Sequence, residues 1–464
     1  MNVDDLQWQS GHLGGVLPRV VDEILQRGGL EALVEAARER EDWSCAQGAV
    51  RGLCAGGELG RAWAVIEPFT ATGWQPALRA GADVLLRWGR TAQALELARP
   101  RGSGRDEDDA WRDYAGVLAR AGRVDEAIDV LIPRLRDGAM LWALVAVTEG
   151  HRRDERVLEL LAPIAEEWRR DPDRGLGDVP CAQARVLERS GRLDEAMGLL
   201  AAEVAANRSW SHSTVDGYAK LLARHGRTGE LRELATGPER STAACSYVTA
   251  LEGLGRAEEA EAYLRGLIAA GHPGWYENAL MELLIRQGRF DDAIQAVEHT
   301  FDDLYDGNLL QATMMLLVEQ GQHDKALSLT EGRSPEFLAE NEESWLRSNR
   351  WWLMGESGRC REAIAEIEAL ALHEVDDREP TIAWLLGRDG RVEEAMARLR
   401  PLPGTRAATE LAELLVRQDR FAEAIAVIPS VAAQREEERR FWTDWEERKR
   451  NAGGDGGCTE APPF

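Results

Sequence analysis

The stretch LERSGRLDEAMGLL, residues 187–200, contains no catalytic pair and no ligand-binding motif, yet its pattern returns along the whole chain. The same pattern reads LARAGRVDEAIDVL at 118–131, LIRQGRFDDAIQAV at 284–297 and LGRDGRVEEAMARL at 386–399. Aligned on the glycine of its G-R-x-x-E-A core, it has thirteen copies, anchored at positions 28, 57, 89, 122, 151, 191, 226, 255, 288, 321, 358, 390 and 419. The spacings of 29 to 40 residues average about 33, a period typical of helix-turn-helix repeats.

The residues before each anchor follow the period of an amphipathic helix. Four residues before the anchor every copy has an aliphatic side chain, as at Leu118, Leu187 and Leu284. Seven residues before it, most copies have another apolar residue, such as Ala115 or Met281. Because positions three and four apart share one helix face, these residues predict the buried side of a first helix.

The residues from the anchor onward predict a turn and a second helix. A glycine at the anchor can take the left-handed conformation that ends a helix. The acidic residues that follow suit the positive end of a helix dipole. Ten of the thirteen copies have alanine five residues after the anchor, among them Ala127 and Ala196, and such a small side chain lets two helices approach closely. Each copy is therefore predicted to be a helical hairpin that buries its apolar side against its neighbours.

This pattern resembles the tetratricopeptide repeat family. The resemblance is fullest at Trp111, Tyr114, Ala115, Leu118, Gly122 and Ala127, and it covers roughly residues 15 to 432. It implies an all-α fold, a right-handed α-solenoid of about 12 to 13 repeats. The repeat length varies more than in the family, and proline comes earlier in the repeat. The composition, with arginine far more frequent than lysine and abundant alanine and glycine, is typical of a bacterial protein of actinobacterial type.

The irregular segments suggest boundaries within the array. We predict a partial cap at 1–14, repeats at 15–168 and 181–432, and an insertion loop between them at 169–180. The highly charged segment 433–450 is predicted to be a capping helix, since arrays need a polar cap at each end. The glycine- and proline-rich segment 451–464 is predicted to be a disordered tail.

The net charge of the chain limits the classes of partner that we expect. The formal net charge is -25 at pH 7, whereas surfaces that bind nucleic acid or anionic membranes need a basic field. The pentatricopeptide repeat family has a similar pattern and reads RNA bases, but its members need basic surfaces to hold phosphates. We therefore expect a protein or peptide partner, no nucleic acid and no membrane insertion. The oligomeric state is left open.

No pattern in the sequence predicts catalysis. The eight histidines are dispersed, and neither a metal-binding pair, a nucleophile elbow nor a phosphate-binding loop is present. The six cysteines include no C-x-x-C pair, so a disulfide framework or structural zinc site is not expected. We predict no enzyme activity and no cofactor. The polar start of the sequence lacks the features of a signal peptide, and a cytoplasmic location is expected.

Tryptophan provides the main functional signal, because the chain has 16 of them. The resemblance implies that first helices line the concave groove, with positions about 13, 10, 6 and 3 residues before the anchor facing it. Aromatic and amide side chains at such positions suit a peptide, since rings bury apolar groups and amides pair with its backbone. In the second half of the array these candidates are Trp275, Asn278, Asn308, Gln311, Met315, Trp345, Ser348, Trp352 and Trp384.

Two questions stay open at this point. The tryptophans could instead fill space between adjacent repeats, and the adjacent Trp351 and Trp352 cannot both face the groove. The predicted function is a scaffold or adaptor that binds a peptide or partner helix in the groove. The alternative is a regulatory module that senses a ligand or peptide and acts through a separate output partner.

Overall fold

The computed structural model describes residues 2–100, 107–170, 178–206, 212–237, 240–272, 275–300, 307–331, 343–370 and 378–451. Over these residues the chain forms α-helices, two short 3-10 segments at Ile132–Arg134 and Glu298–Thr300, and no β-strand. The prediction of an all-α repeat fold is confirmed.

The helices are numbered in chain order. The first half contains α1 Val3–His12, α2 Pro18–Gln26, α3 Leu30–Glu39, α4 Trp43–Ala55, α5 Leu59–Thr70, α6 Gln75–Arg87, α7 Thr91–Ala98, α8 Glu107–Arg120, α9 Val124–Leu131, α10 Gly138–Val147, α11 Asp154–Arg170, α12 Val179–Arg189, α13 Leu193–Ala205 and α14 His212–Arg224. The second half contains α15 Thr228–Thr236, α16 Arg240–Gly253, α17 Ala257–Ala269, α18 Trp275–Arg286, α19 Phe290–Val297, α20 Gly307–Glu319, α21 His323–Ser328, α22 Glu343–Glu356, α23 Cys360–Ala369, α24 Arg378–Arg388, α25 Val392–Leu399, α26 Thr405–Arg417, α27 Phe421–Val427 and α28 Val431–Asn451.

Within the described residues, helices α2 to α27 follow one another as thirteen hairpins, each with an even-numbered first helix and an odd-numbered second helix. First and second helices pack against each other in twelve of these hairpins. The exception is α10, which packs mainly on α8, α9 and α12. This arrangement agrees with the repeat count expected from the sequence.

The turn of each hairpin depends on a left-handed residue. All eleven anchor glycines have positive φ, for example 78° at Gly122, and Asp419 adopts the same conformation at 58°. In the Gly122 turn, the backbone N–H of Arg123 donates to the Leu118 carbonyl at 2.9 Å, which closes the end of the first helix. Equivalent bonds recur from copy to copy, so the glycine at the anchor is required by backbone geometry.

The predicted apolar positions form the core. All thirteen side chains four residues before the anchor are buried, and so are all ten alanines five residues after it. Of the thirteen side chains seven residues before the anchor, twelve are buried, and Val50 is half-buried. The apolar residues four and seven positions before the anchor thus predicted the buried side of the first helices correctly.

The arginine and acidic residue of the G-R-x-x-E-A core form an ion pair. In eight copies the arginine after the anchor pairs with the acidic residue three positions later; Arg192 and Glu195 are 2.7 Å apart, as are Arg391 and Glu394. These pairs lie on the exposed first turn of the second helix, where each contributes a few tenths of a kcal/mol, roughly the value of an i,i+3 pair. They explain why arginine recurs beside the glycine.

Contacts divide the chain into two compact units. The terminal unit comprises the described residues within 1–98 and 343–464, and the central unit those within 99–342. The predicted insertion at 169–180 falls inside the central unit, and its residues 171–177 lie outside the described residues. The predicted tail at 451–464 also lies outside them, apart from Asn451. The other domain boundaries remain predictions.

The first and last hairpins pack against each other within the terminal unit. First helix α2 contacts first helix α26, and second helix α3 contacts second helix α27. There the Arg40 guanidinium donates to the carbonyls of Ile425 (2.8 Å), Ile428 (2.6 Å) and Pro429 (3.1 Å). Carbonyls at a helix end have no partner within their own helix, so a side chain 385 residues away from Ile425 satisfies them.

The helices at the two ends of the chain extend this contact. Gln434 of α28 is buried, and its side chain accepts from the Gly15 N–H (2.9 Å) and donates to the Gly15 carbonyl (3.2 Å). The Trp8 indole of α1 donates to Glu438 of α28 at 2.6 Å. The segments predicted as caps therefore contain helices that contact each other. We call the whole contact of α1–α3 with α26–α28 the end junction.

Candidate functional site

The central unit has two cavities on the side of its first helices, each of about 460 Å³. The first is lined mainly by α10, α12 and α14, and the second by α16 and α18. The side chains at 13, 10, 6 and 3 residues before the anchors supply much of both linings, including Cys181, Arg185, Thr249, Trp275 and Glu282. We call this surface the first-helix face.

One ionic cluster forms a wall of the first cavity. Glu188 of α12 accepts hydrogen bonds from Arg224 (2.8 Å), His225 (2.9 Å) and Arg185 (3.2 Å). Burial alone raises the pKa of Glu188, but the hydrogen bonds from Arg224, His225 and Arg185 outweigh it and lower the pKa to about 2. Glu188 therefore stays charged at neutral pH, and its hydrogen bonds join α12 to α14.

A second set of charged groups surrounds Cys181. Lys220 pairs with Asp216 at 2.7 Å, whereas Asp178 has no hydrogen bond or ion pair to its side chain from any residue that the structure describes. Burial, together with the charges of Asp178 and Asp216, raises the pKa of Cys181 to about 12. The thiol is therefore protonated. The described lining of the first cavity has three carboxylates and three cations, and because two of the cations pair with Glu188, Asp178 is left without a partner among the described residues.

The unpaired carboxylate lies against the helix that carries an exposed tryptophan. A Cβ at Gly138 would be 3.0 Å from Asp178 Oδ2, which places the carboxylate beside the start of α10. Trp142 is four residues after Gly138, one turn further along the same side of the helix. Trp142 is 40% exposed and lines the cavity together with Asp178. An aromatic ring and a free carboxylate thus share one recess.

The second cavity repeats this combination. Trp275 is 48% exposed and lines it together with Val248, Glu252, Glu282 and Arg286. Arg286 donates to Glu252 at 2.7 Å and lies 3.5 Å from Glu282. Two carboxylates therefore share one guanidinium, so the charged side chains that line this cavity have a net charge of one negative unit, whereas those that line the first cavity balance.

The other predicted groove residues of the central unit differ in exposure. Asn278 is half-buried; its amide donates to Glu282 at 3.4 Å, while its carbonyl oxygen is buried without a hydrogen-bond partner among the described residues. Gln311 and Met315 of α20 are exposed. The side chain of Asn308 lies outside what the structure describes.

The remaining four candidates belong to the terminal unit. A Cβ at Gly355 of α22 would be 2.4 Å from the Trp384 ring, so Trp384 packs closely on the preceding first helix. Trp352 is half-buried and Ser348 is exposed, while the side chain of Trp345 lies outside the described part. The predicted set is therefore divided between two units, and Trp384 contributes to packing between repeats.

Trp142 was missed by the sequence analysis because one repeat was aligned a residue too early. The copy anchored on His151 has two left-handed residues, Gly150 with φ of 76° and Arg152 with φ of 55°. Its second helix begins at Asp154, two residues after Arg152, which is the spacing from anchor to second helix in the other copies. Counted from Arg152, Trp142 falls ten residues before the anchor, a position predicted to face the groove. The apolar Val157 and Leu161, five and nine residues after Arg152, would have given the correct alignment.

Among the described residues, no group of three or more histidine, cysteine, aspartate or glutamate side chains could hold a metal ion. In the same part of the chain, every helix is too short or too polar to cross a membrane.

No protein-family model and no curated protein matches the sequence. Solved structures with similar helical repeats include "Structure of Naa15/Naa10 bound to HypK-THB", at 15% identity and TM-score 0.35, covering 86% of this chain and 72% of that chain. Another is the Cut9–Hcn1 hetero-tetramer of the APC/C, at 13% identity and TM-score 0.22, covering 89% and 93%. A third is the pentatricopeptide repeat protein PPR10 in complex with an 18-nt psaJ RNA element, at 17% identity and TM-score 0.37, covering 94% and 63%.

The exclusion of a nucleic-acid partner was wrong. It was based on the net charge, but PPR10, which matches 94% of this chain, was solved in complex with RNA. Net charge describes the whole molecule, whereas binding depends on the charges of one face. Here Arg185, Lys220 and Arg224 lie around one cavity in a chain of net charge -25. Net charge alone therefore does not decide between protein and RNA partners.

Proposed function

We propose that this chain is a helical-repeat scaffold that binds an extended segment of a partner protein on the first-helix face of the central unit. The observation that carries the proposal is the pair of exposed tryptophans, Trp142 and Trp275, each at a cavity of about 460 Å³. Exposed aromatic side chains beside recesses are typical anchors of protein interfaces.

The chemistry of the face suits a peptide rather than a small reacting molecule. Both cavities are open and lined by ion pairs that leave the helices fixed, as with Glu188 and Arg224 in the first. Gln311 and Met315 add an exposed amide and an adaptable apolar side chain on α20. We include both residues in the proposed face, and Trp275 and Asn278 keep the role expected from the sequence.

Selection from a displayed library of random 12-residue peptides on the immobilised full chain tests this function. We expect peptides to be enriched on the wild type and lost on a Trp142→Ala, Trp275→Ala double variant of unchanged helicity. Trp442→Ala, which removes an exposed tryptophan of the terminal unit, is the matched control and should retain the peptides. The absence of any enrichment, or equal enrichment on the double variant, would show that this face does not bind peptides.

A further inference from the structure

The charged side chains of the two cavities on the first-helix face indicate what kind of partner they fit. In the first, the arginines and the lysine of the lining are ion-paired, and Asp178 is left over. In the second, Glu252 and Glu282 face a single Arg286. The first cavity therefore combines an exposed tryptophan with an unpaired carboxylate, although its charges balance, and the second combines an exposed tryptophan with one carboxylate more than its cations.

We infer that the segment bound on this face is basic and places an arginine or lysine side chain over Trp142, with its charge beside Asp178. This inference rests on the proposed function. A cation over an indole ring is attracted by the ring electrons, and guanidinium groups also stack on the ring plane. A carboxylate within the same recess adds a charge-assisted hydrogen bond.

Close packing directs Asp178 towards this position. Gly138 leaves space for its carboxylate, since a Cβ there would lie 3.0 Å from Asp178 Oδ2. Gly217 likewise leaves space for Cys181, whose Sγ would be 2.6 Å from a Cβ at that position and which donates to the Ser213 carbonyl at 3.4 Å. The first turn of α12 is thereby held between α10 and α14, with its carboxylate next to the helix of Trp142.

The chain as a whole agrees with a basic partner. Its net charge of -25 favours the approach of cationic segments within about a Debye length, while the charges of the face itself decide which occupant is bound. RNA is the competing occupant, because Arg185, Lys220 and Arg224 are also present. In the described structure these cations are paired to carboxylates, whereas Asp178 is not, and this difference favours the basic peptide.

The same peptide selection, followed by fluorescence anisotropy with one enriched peptide, tests the inference. We expect arginine and lysine to be over-represented among the enriched peptides, and replacement of arginine by uncharged citrulline to weaken binding at least about tenfold. Asp178→Asn should weaken binding by a similar factor. Glu159→Gln, which removes one exposed carboxylate from second helix α11, is the matched control and should leave affinity unchanged.

Other results separate this inference from the proposed function. Enrichment of neutral or acidic peptides, with Asp178→Asn unchanged, would overturn the basic partner and leave the scaffold function standing. Tighter binding of a labelled 18-nucleotide RNA than of any enriched peptide, strengthened by Asp178→Asn, would assign the face to nucleic acid. The absence of any enriched peptide would end the proposed function and this inference together.

Discussion

The end junction of the terminal unit and the first-helix face of the central unit are built from the same repeat, yet they treat their polar and aromatic groups differently. At the end junction, hydrogen bonds to a distant part of the chain use the polar groups of Arg40, Gln434 and Trp8. On the first-helix face, Trp142 remains exposed beside the unpaired Asp178, and Trp275 remains exposed beside two carboxylates that share Arg286.

The solvent exposure of a tryptophan side chain therefore depends on the helix face where it lies, and not on the unit that contains it. Trp168 of α11 in the central unit is 3% exposed, whereas Trp442 in the terminal unit is 36% exposed. A tryptophan on a second helix can pack between repeats, and one at a groove position of a first helix can stay free. Four perturbations test this difference between the two regions.

The largest difference in stability is expected between replacing a buried tryptophan and replacing an exposed one. Trp351 is 4% exposed, and Trp351→Ala should destabilise the terminal unit by about 3–5 kcal/mol, the usual cost of truncating a buried aromatic. Trp275→Ala should cost less than about 1 kcal/mol, since its side chain is half in solvent. Urea unfolding followed by hydrogen exchange measures both. Similar losses would mean that Trp275 is also a packing residue.

Removal of Arg40 tests the end junction. Arg40→Ala removes the donor to the Ile428 carbonyl and one of two donors to the carbonyls of Ile425 and Pro429, which keep the Ile428 N–H and the Gln434 amide. The loss should cost about 1–3 kcal/mol. We expect faster amide hydrogen exchange in α2, α3 and α27 and unchanged exchange in the central unit. Arg51→Ala breaks an exposed ion pair with Asp22 in the same unit and should cost less than about 1 kcal/mol. Equal effects of the two substitutions would contradict a stabilising role for the junction.

Glu410 should give the terminal unit a pH dependence of its own. Burial, and then the charge of Glu413, raise the pKa of Glu410 to about 7. A carboxyl whose pKa is higher folded than unfolded stabilises the fold fully below its unfolded pKa, and this contribution is lost as pH rises through the folded pKa. Between about pH 4.5 and 7 the loss should amount to roughly 1–3 kcal/mol.

Glu410→Gln should remove most of this slope when stability is measured across that pH range. Glu393→Gln, at an exposed carboxyl of α25 in the same unit, serves as the control and should follow the wild type. A wild-type slope that persists in Glu410→Gln would assign the titration to another group.

The smallest effects on stability are expected from substitutions in the left-handed turn between the first and second helix, which occurs in both units. Asp419 adopts φ of 58° where eleven copies have glycine, so Asp419→Gly should stabilise by up to about 1 kcal/mol. Gly122→Ala should destabilise by about 1 kcal/mol, because nothing lies within 4 Å of the added Cβ and only the backbone conformation opposes it. Differential scanning calorimetry can compare the two variants, and shifts of the same sign would exclude the left-handed turn as the cause.

The sequence predicted the structural features that depend on residues close together in the chain. Gly122 and Leu118 take their places because a turn and a helix face are decided within about ten residues, and their pattern recurs thirteen times. The end junction could not be predicted in this way, since Arg40 contacts backbone carbonyls, which carry no residue signature, 385 positions away. The positional rule for the first helices selected Trp275 at the second cavity but no residue of the first cavity, and a one-residue error in the alignment of one copy hid Trp142.

The end junction also sets an order for synthesis. A ribosome releases residues 1–98 first, but α2 and α3 meet α26 and α27 only after more than three hundred further residues have been made. The described part of the central unit is complete before that, so it can fold while the opening repeats still lack their distant neighbours. The surface of α2 and α3 that the end junction later covers is therefore exposed during most of translation, and nascent chains would need protection there.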